Sequence, residues 1–225
     1  MFRDAGVNVY ILKIIMKILF QKHSRKLITI IIVILFSTSL WQLASAGWIQ
    51  GKALIAQQLL NHSWNKTLID QGKTNSQKAK AADQKTITHK PWPWADTWPV
   101  AKLLVPQHGI EQIILAGDSG NSLAFGPGYS LAGAEPNTIG TTVVSAHRDT
   151  HFQFLKDIKI NDTIYIQTSD STISYRVFDL QVVEDKTHVI PNDSDDMTLV
   201  LVTCYPFDAI RPGGSSRYLV YAARS

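Results

Sequence analysis

A chain of 225 residues with 45% hydrophobic side chains has room for one domain of ordinary size plus appendages. Its single cysteine, Cys204, excludes an intramolecular disulfide framework and a Cys-rich zinc site. The net charge of +4 divides into +10 for residues 1–90 and −6 for residues 91–225, and an acidic folded part argues against nucleic acid as a partner.

Taken in order, the chain opens on a basic stretch with Lys13, Lys17, Lys22, Arg25 and Lys26. Met16 followed by Lys17 is a more ordinary start than Met1, so the translation start is open between the two. Residues 27–43 are apolar apart from Ser, Thr and Gln42, and with flanks to Trp48 they reach the roughly 20 residues that cross a bilayer. Lys52 is the only positive charge soon after, so the charge bias puts residues 1–26 in the cytoplasm and everything beyond Gly47 outside. Ala44-Ser45-Ala46 also matches a signal-peptidase site. The apolar run is long for a cleaved signal, and residues 27–47 read as a retained transmembrane anchor. Residues 52–63 show helical apolar spacing at Leu54, Ile55, Leu59 and Leu60. Residues 65–90 are polar, with little to bury, and read as a flexible connector.

The folded part is expected over residues 91–225. It starts with PWPWADTWP, whose Trp92, Trp94 and Trp98 read as a Pro-held segment covering one end of a core, the alternative being a substrate-facing rim. Period-two alternation then predicts strands at 100–105, 111–116, 141–145, 163–168, 173–183, 198–203 and 217–222. Residues 169–172 form a hairpin turn between two of them. Residues 117–133 are a long Gly/Ser/Pro-rich loop, and 152–158 make a turn or two of helix. Seven or eight short strands with almost no helix predict an all-β fold, a closed or nearly closed barrel.

Cys204 ends the apolar strand at 198–203, at the lip of the sheet. A buried, inert thiol and a reactive one are both open from that stretch alone. His147 leaves a second strand at its C-terminal end, with His151 as its competitor four residues on. A thiolate is the nucleophile of cysteine chemistry and a nearby cation favours it. The same imidazole can protonate a departing amine. Arg217 opens the last strand, and if that strand pairs antiparallel with 198–203 it starts level with Cys204. A structural ion pair is the plain alternative for Arg217, and Arg211 is a less constrained cation. His147, Asp149, His151 and Cys204 could ligate zinc, but a strand-to-loop segment need not make them converge. Asp193, Asp195 and Asp196 could bind calcium or form a solvated turn.

These residues carry a resemblance. LVTC at 201–204, His147 at one strand end and Arg217 opening the next strand resemble the sortases, over roughly Trp92 to the C-terminus. LVTC matches the family's T-L-x-T-C signature except at Val200. Ala146 stands where a glycine usually precedes the histidine. The segments GWIQGKALIAQQLL, PWPWADTWPVAKL, AHRDTHF and TCYPF are most similar to the Gram-negative branch, class GN. The resemblance implies a sortase-like closed barrel of about eight strands with short helices behind a transmembrane helix. It also implies a membrane-anchored cysteine transpeptidase with Cys204 as nucleophile, His147 as acid/base and Arg217 as oxyanion or substrate-orienting group. The implied substrate is an exported protein with a C-terminal sorting signal: a Pro-containing motif, a hydrophobic segment and a basic tail. The acyl chain would pass to an amine acceptor. No cofactor or metal is needed for thiol acyl transfer. The implied location is the inner membrane, single-pass, with a periplasmic catalytic domain. Two other readings use the same chain: a cysteine endopeptidase with water as acceptor, and a tethered binding domain with an inaccessible thiol.

Overall fold

The computed structural model describes residues 4–77, 88–185, 188–191, 195–209 and 213–225. They fall into two compact units, Met1–Ala53 and Leu54–Ser225. Helix α1 (Asp4–Gln77) contributes to both. In the first unit, Ile28–Ser45 has a mean hydropathy of 1.9 and no buried residue, which makes it long and apolar enough to cross a membrane.

The second unit is built on eight strands: β1 (Pro99–Val105), β2 (Ile110–Ala116), β3 (Gly128–Tyr129), β4 (Gly140–Ser145), β5 (Thr163–Gln167), β6 (Thr172–Glu184), β7 (Met197–Cys204) and β8 (Ser216–Arg224). They close into a barrel in the order β1-β2-β3-β4-β7-β8-β6-β5. The pairs β2–β3 and β4–β7 are parallel and the other six antiparallel. Closure gives each of the eight strands a neighbour on both sides. The closed all-β barrel anticipated from the alternation is the observed fold.

Alternation decides what fills the barrel, because successive strand side chains point to opposite faces. Leu199 and Leu201 of β7, Val144 of β4, and Val220 and Ala222 of β8 are fully buried in one cluster with Leu103, Ile114, Ile164 and Tyr175. The residues between them point outward. On β2 the outward residues Ile113 and Leu115 meet α1, whose Leu60 and Trp64 lie four apart and share one helix face. Ser63, Thr67 and Gln71 are buried along that side too. Gln57 Nε2 donates to Phe125 O at 2.6 Å, and the Ser63 hydroxyl donates to His89 O.

Two elements differ from expectation. Residues 65–77, read as connector, are helical to Gln77. Thr67 and Gln71 are buried there, and as polar residues they count as solvent-facing in any apolar tally. The long Gly-rich loop contains α2 (Gly120–Leu123) and β3. β3 is legible only in three dimensions: a Cβ on Gly128 would lie 2.2 Å from Gly117 O, so the strand fits because it has no side chain there. The tryptophan segment divides. Trp92 meets Phe125 edge-on at 4.9 Å and Trp98 packs on the core, while Trp94 is 82% exposed.

Candidate active site

Three neighbouring strands, β4, β7 and β8, bring the singled-out residues together. Cys204 and Arg217 are direct partners in the antiparallel β7–β8 register. On the other side, the parallel β4–β7 register ends with Ser145 opposite Val202. Beyond it, Ala146 N donates to Val202 O at 3.1 Å and Thr203 Oγ1 donates to Ala146 O at 2.7 Å. Carried on by two residues, that register sets His147 level with Cys204. Adjacent strands lie about 4.8 Å apart, so the thiol strand has the histidine on one flank and the arginine on the other.

The same alternation gives their common face. Leu199, Leu201 and Thr203 turn inward, so Val200, Val202 and Cys204 turn outward. Val144 and Ala146 lie in the core, which sends Ser145 and His147 outward. Val220 and Ala222 do the same for Arg217 and Leu219. Cys204 is half-buried and His147 exposed. Cys204 is not among the fully buried core residues, which argues against the inaccessible-cysteine reading. Ala146, in place of the expected glycine, is only 6% exposed; its methyl belongs to the barrel core and leaves His147 unobstructed.

Arg217 is held by the chain around it. Its Nη1 donates to Gly214 O at 2.7 Å and Ser216 O at 3.1 Å, and its Nη2 donates to Asp185 Oδ2 at 3.0 Å. A guanidinium has five N–H donors, so Nε–H and one Nη2–H are left for a ligand. The ion pair with Asp185 is therefore present and leaves part of the guanidinium's donor capacity unused. Arg211 and Asp193 lie outside the described residues.

His151 stands apart from the trio. It lines a groove of about 140 Å³ with Gln57, Asn61, Gln112 and Phe125, and its backbone carbonyl accepts from Gln112 Nε2 at 2.8 Å. Burial, and then the charge of nearby His147, hold its imidazole below the usual histidine value. Asp149 accepts from Arg148 Nε at 3.2 Å. Among the described residues, no three His, Cys, Asp or Glu side chains converge on a metal-binding point.

Sequence reasoning passed over the residue between His147 and Asp149. Arg148 is 3% exposed and donates from Nη1 to Pro206 O at 2.8 Å and from Nη2 to Ala209 O at 3.1 Å. Nothing in its neighbourhood along the chain announces this, because both acceptors are backbone carbonyls about 60 residues away. Beyond the thiol, Tyr205, Phe207 and Tyr218 form a ring cluster with centroids 5.2–6.2 Å apart. Phe207 and Tyr218 pack onto the core and cap that end of the barrel.

A family model described as the sortase domain matches residues 103–225, more than half of the chain. The chain belongs to the sortase family. A curated relative, sortase D of Bacillus subtilis, is 28% identical over 123 residues, which are 54% of this chain and 62% of that protein, so the match spans less than two thirds of the relative's length. Among solved structures, the Clostridium perfringens sortase D5 transpeptidase superposes with a TM-score of 0.56 at 20% identity, covering 76% of this chain and 98% of that one. Sortase C of Clostridium perfringens, solved with the C-terminal cell wall sorting motif, gives 0.51 at 21% identity over 75% and 88% of the two chains. At these identities the structural likeness speaks for the fold, and the sortase barrel is the fold observed. All of β2 to β8, and with them Cys204, His147 and Arg217, fall inside the matched domain.

Proposed function

We propose that this sortase is a membrane-anchored cysteine transpeptidase acting on an exported protein with a C-terminal sorting signal. One observation carries the reading: Cys204 and Arg217 are register partners on β7 and β8, and His147 directly follows Ala146, which is bonded to Val202 and Thr203 of β7. The Cys204 thiolate attacks the carbonyl carbon of the scissile peptide bond, and the negative charge that develops on the carbonyl oxygen is met by the free N–H donors of Arg217. The C–N bond breaks, His147 gives its proton to the departing amine, and the acyl chain stays on sulfur as a thioester. A primary amine then attacks the thioester, His147 takes the proton it sheds, and a new amide forms as the thiolate leaves. The half-buried Val202 and Ser145 beside the thiol offer a floor for the sorting motif.

The rest of the reading follows the same order. Residues 1–26 lie in the cytoplasm, 27–47 cross the inner membrane, 48–90 rise from it, and 91–225 form the periplasmic catalytic domain. The exposed apolar span Ile28–Ser45 supports the anchor. The four sequence segments named above support the class GN branch.

Two measurements test the proposal. The full chain is incubated with a library of Pro-containing peptides that end in a hydrophobic run and basic residues, with and without a small primary amine. A transpeptidase yields the amine adduct, and the adduct is lost in Cys204→Ala. Cleavage with water as the only acceptor would make the enzyme an endopeptidase, and an active Cys204→Ala protein would end the thiol mechanism.

A further inference from the structure

Two cross-strand ties lie one on each side of the reacting residues. Before them, Thr203 Oγ1 donates to Ala146 O at 2.7 Å. After them, Arg148 reaches across to the chain that follows the thiol and binds Pro206 O at 2.8 Å and Ala209 O at 3.1 Å. His147 sits between 146 and 148, and Cys204 between 203 and 206. The second tie closes both ends of one turn: Pro206 and Ala209 are its first and last residues, and its own backbone bond, Ala209 N to Pro206 O, is long at 3.4 Å.

We propose that Arg148 is a positioning residue: by clamping the 206–209 turn it fixes the separation of His147 and Cys204. The guanidinium suits the task because its planar fork spans two carbonyls three residues apart. A lysine offers donors at one point and cannot keep both. Pro206 is exposed and Ala209 half-buried, so without the guanidinium the turn keeps only its long Ala209 N to Pro206 O bond and is free to shift. At 3% exposure the side chain is inaccessible to substrate, so its influence passes through the residues it holds. Asp149, which accepts from Arg148 Nε at 3.2 Å, is 63% exposed.

This inference rests on the assignment of Cys204 and His147 as a reacting pair, and the experiment separates the two. Cys204 is the only cysteine, so iodoacetamide reports on it alone in the full chain. Alkylation is followed from pH 5 to 9 in wild type, His147→Ala, Arg148→Lys, Arg148→Gln and the double variant His147→Ala/Arg148→Lys, with circular dichroism giving the folded fraction. Arg148→Lys should remain folded, react about 10- to 100-fold more slowly near neutral pH, and reproduce the pH profile of His147→Ala. The double variant should be no slower than His147→Ala alone, because a mispositioned partner has nothing further to lose. A wild-type profile in Arg148→Lys, or effects that add in full, would overturn the inference. So would the loss of folding in both Arg148 variants, which would make the residue structural only. An unchanged profile in His147→Ala would instead sink the pairing of His147 with Cys204.

Discussion

Ile113 and Leu115 on β2, and Val200 and Val202 on β7, all point away from the barrel interior, yet only Val202 is left partly open. The β2 pair is 5% and 0% exposed because Leu60 and Trp64 of α1 cover it. On the β4–β7–β8 face the cover is graded. Val200 and Leu219 are buried, Val143, Ser145, Val202 and Cys204 are half-buried, and His147 is exposed. One outer face is closed by the chain's own helix. The other opens progressively toward the end that carries the thiol. Apolar area facing outward serves stability where the chain covers it, and under the proposed function it serves recognition where it does not.

Substitutions should separate the two faces. The largest effect is expected from Cys204→Ala, with amine-adduct formation falling at least about 10⁴-fold. Its unfolding midpoint in urea should stay within about 1 kcal/mol of wild type, since one half-buried sulfur is removed. Trp64→Ala empties the helix contact and should cost about 3–5 kcal/mol in the same titration. The Cys204 alkylation rate per folded molecule should stay unchanged, and a large drop there would mean that the two faces are coupled. Val202→Ala should lower stability by about 1 kcal/mol or less and act mainly on peptide binding, raising KM about fivefold with kcat little altered.

The smallest effect is a pH dependence. Because its folded-state pKa is depressed, His151 binds a proton more readily in the unfolded chain, and folding gains from its neutral form. That contribution is complete above the ordinary value of 6.5 and fades as pH falls through 6.5 toward the lowered folded value. Urea midpoints between pH 7.5 and 5.5 should therefore decline less in His151→Gln than in wild type. Equal declines would move the effect elsewhere.

Much of the barrel was legible because a strand with one face in a core must alternate, as Thr163–Gln167 does plainly, and because Met197–Cys204 and Ser216–Arg224 are apolar runs bounded by turns. The level placement of Cys204 and Arg217 was legible as well, since a hairpin-like return fixes register. What escaped was whatever depends on distant backbone. Thr67 and Gln71 look solvated until the barrel is set beside them. β3 carries its signal in the absence of a side chain at Gly128. Arg148 reads as a loop charge until two carbonyls from beyond Cys204 arrive within 2.8 and 3.1 Å of it.

The bond from Thr203 to Ala146 joins residues 57 apart in sequence, across the parallel β4–β7 pair. Parallel pairing of that span is non-local, and non-local contacts form late because chain-closure entropy opposes them. No single segment of the chain can hold both the histidine and the thiol. His147 and Cys204 therefore come together only as the barrel shuts, so under the proposed mechanism a partly folded chain carries a thiol without its acid. Catalytic competence in this fold is a report that folding has finished.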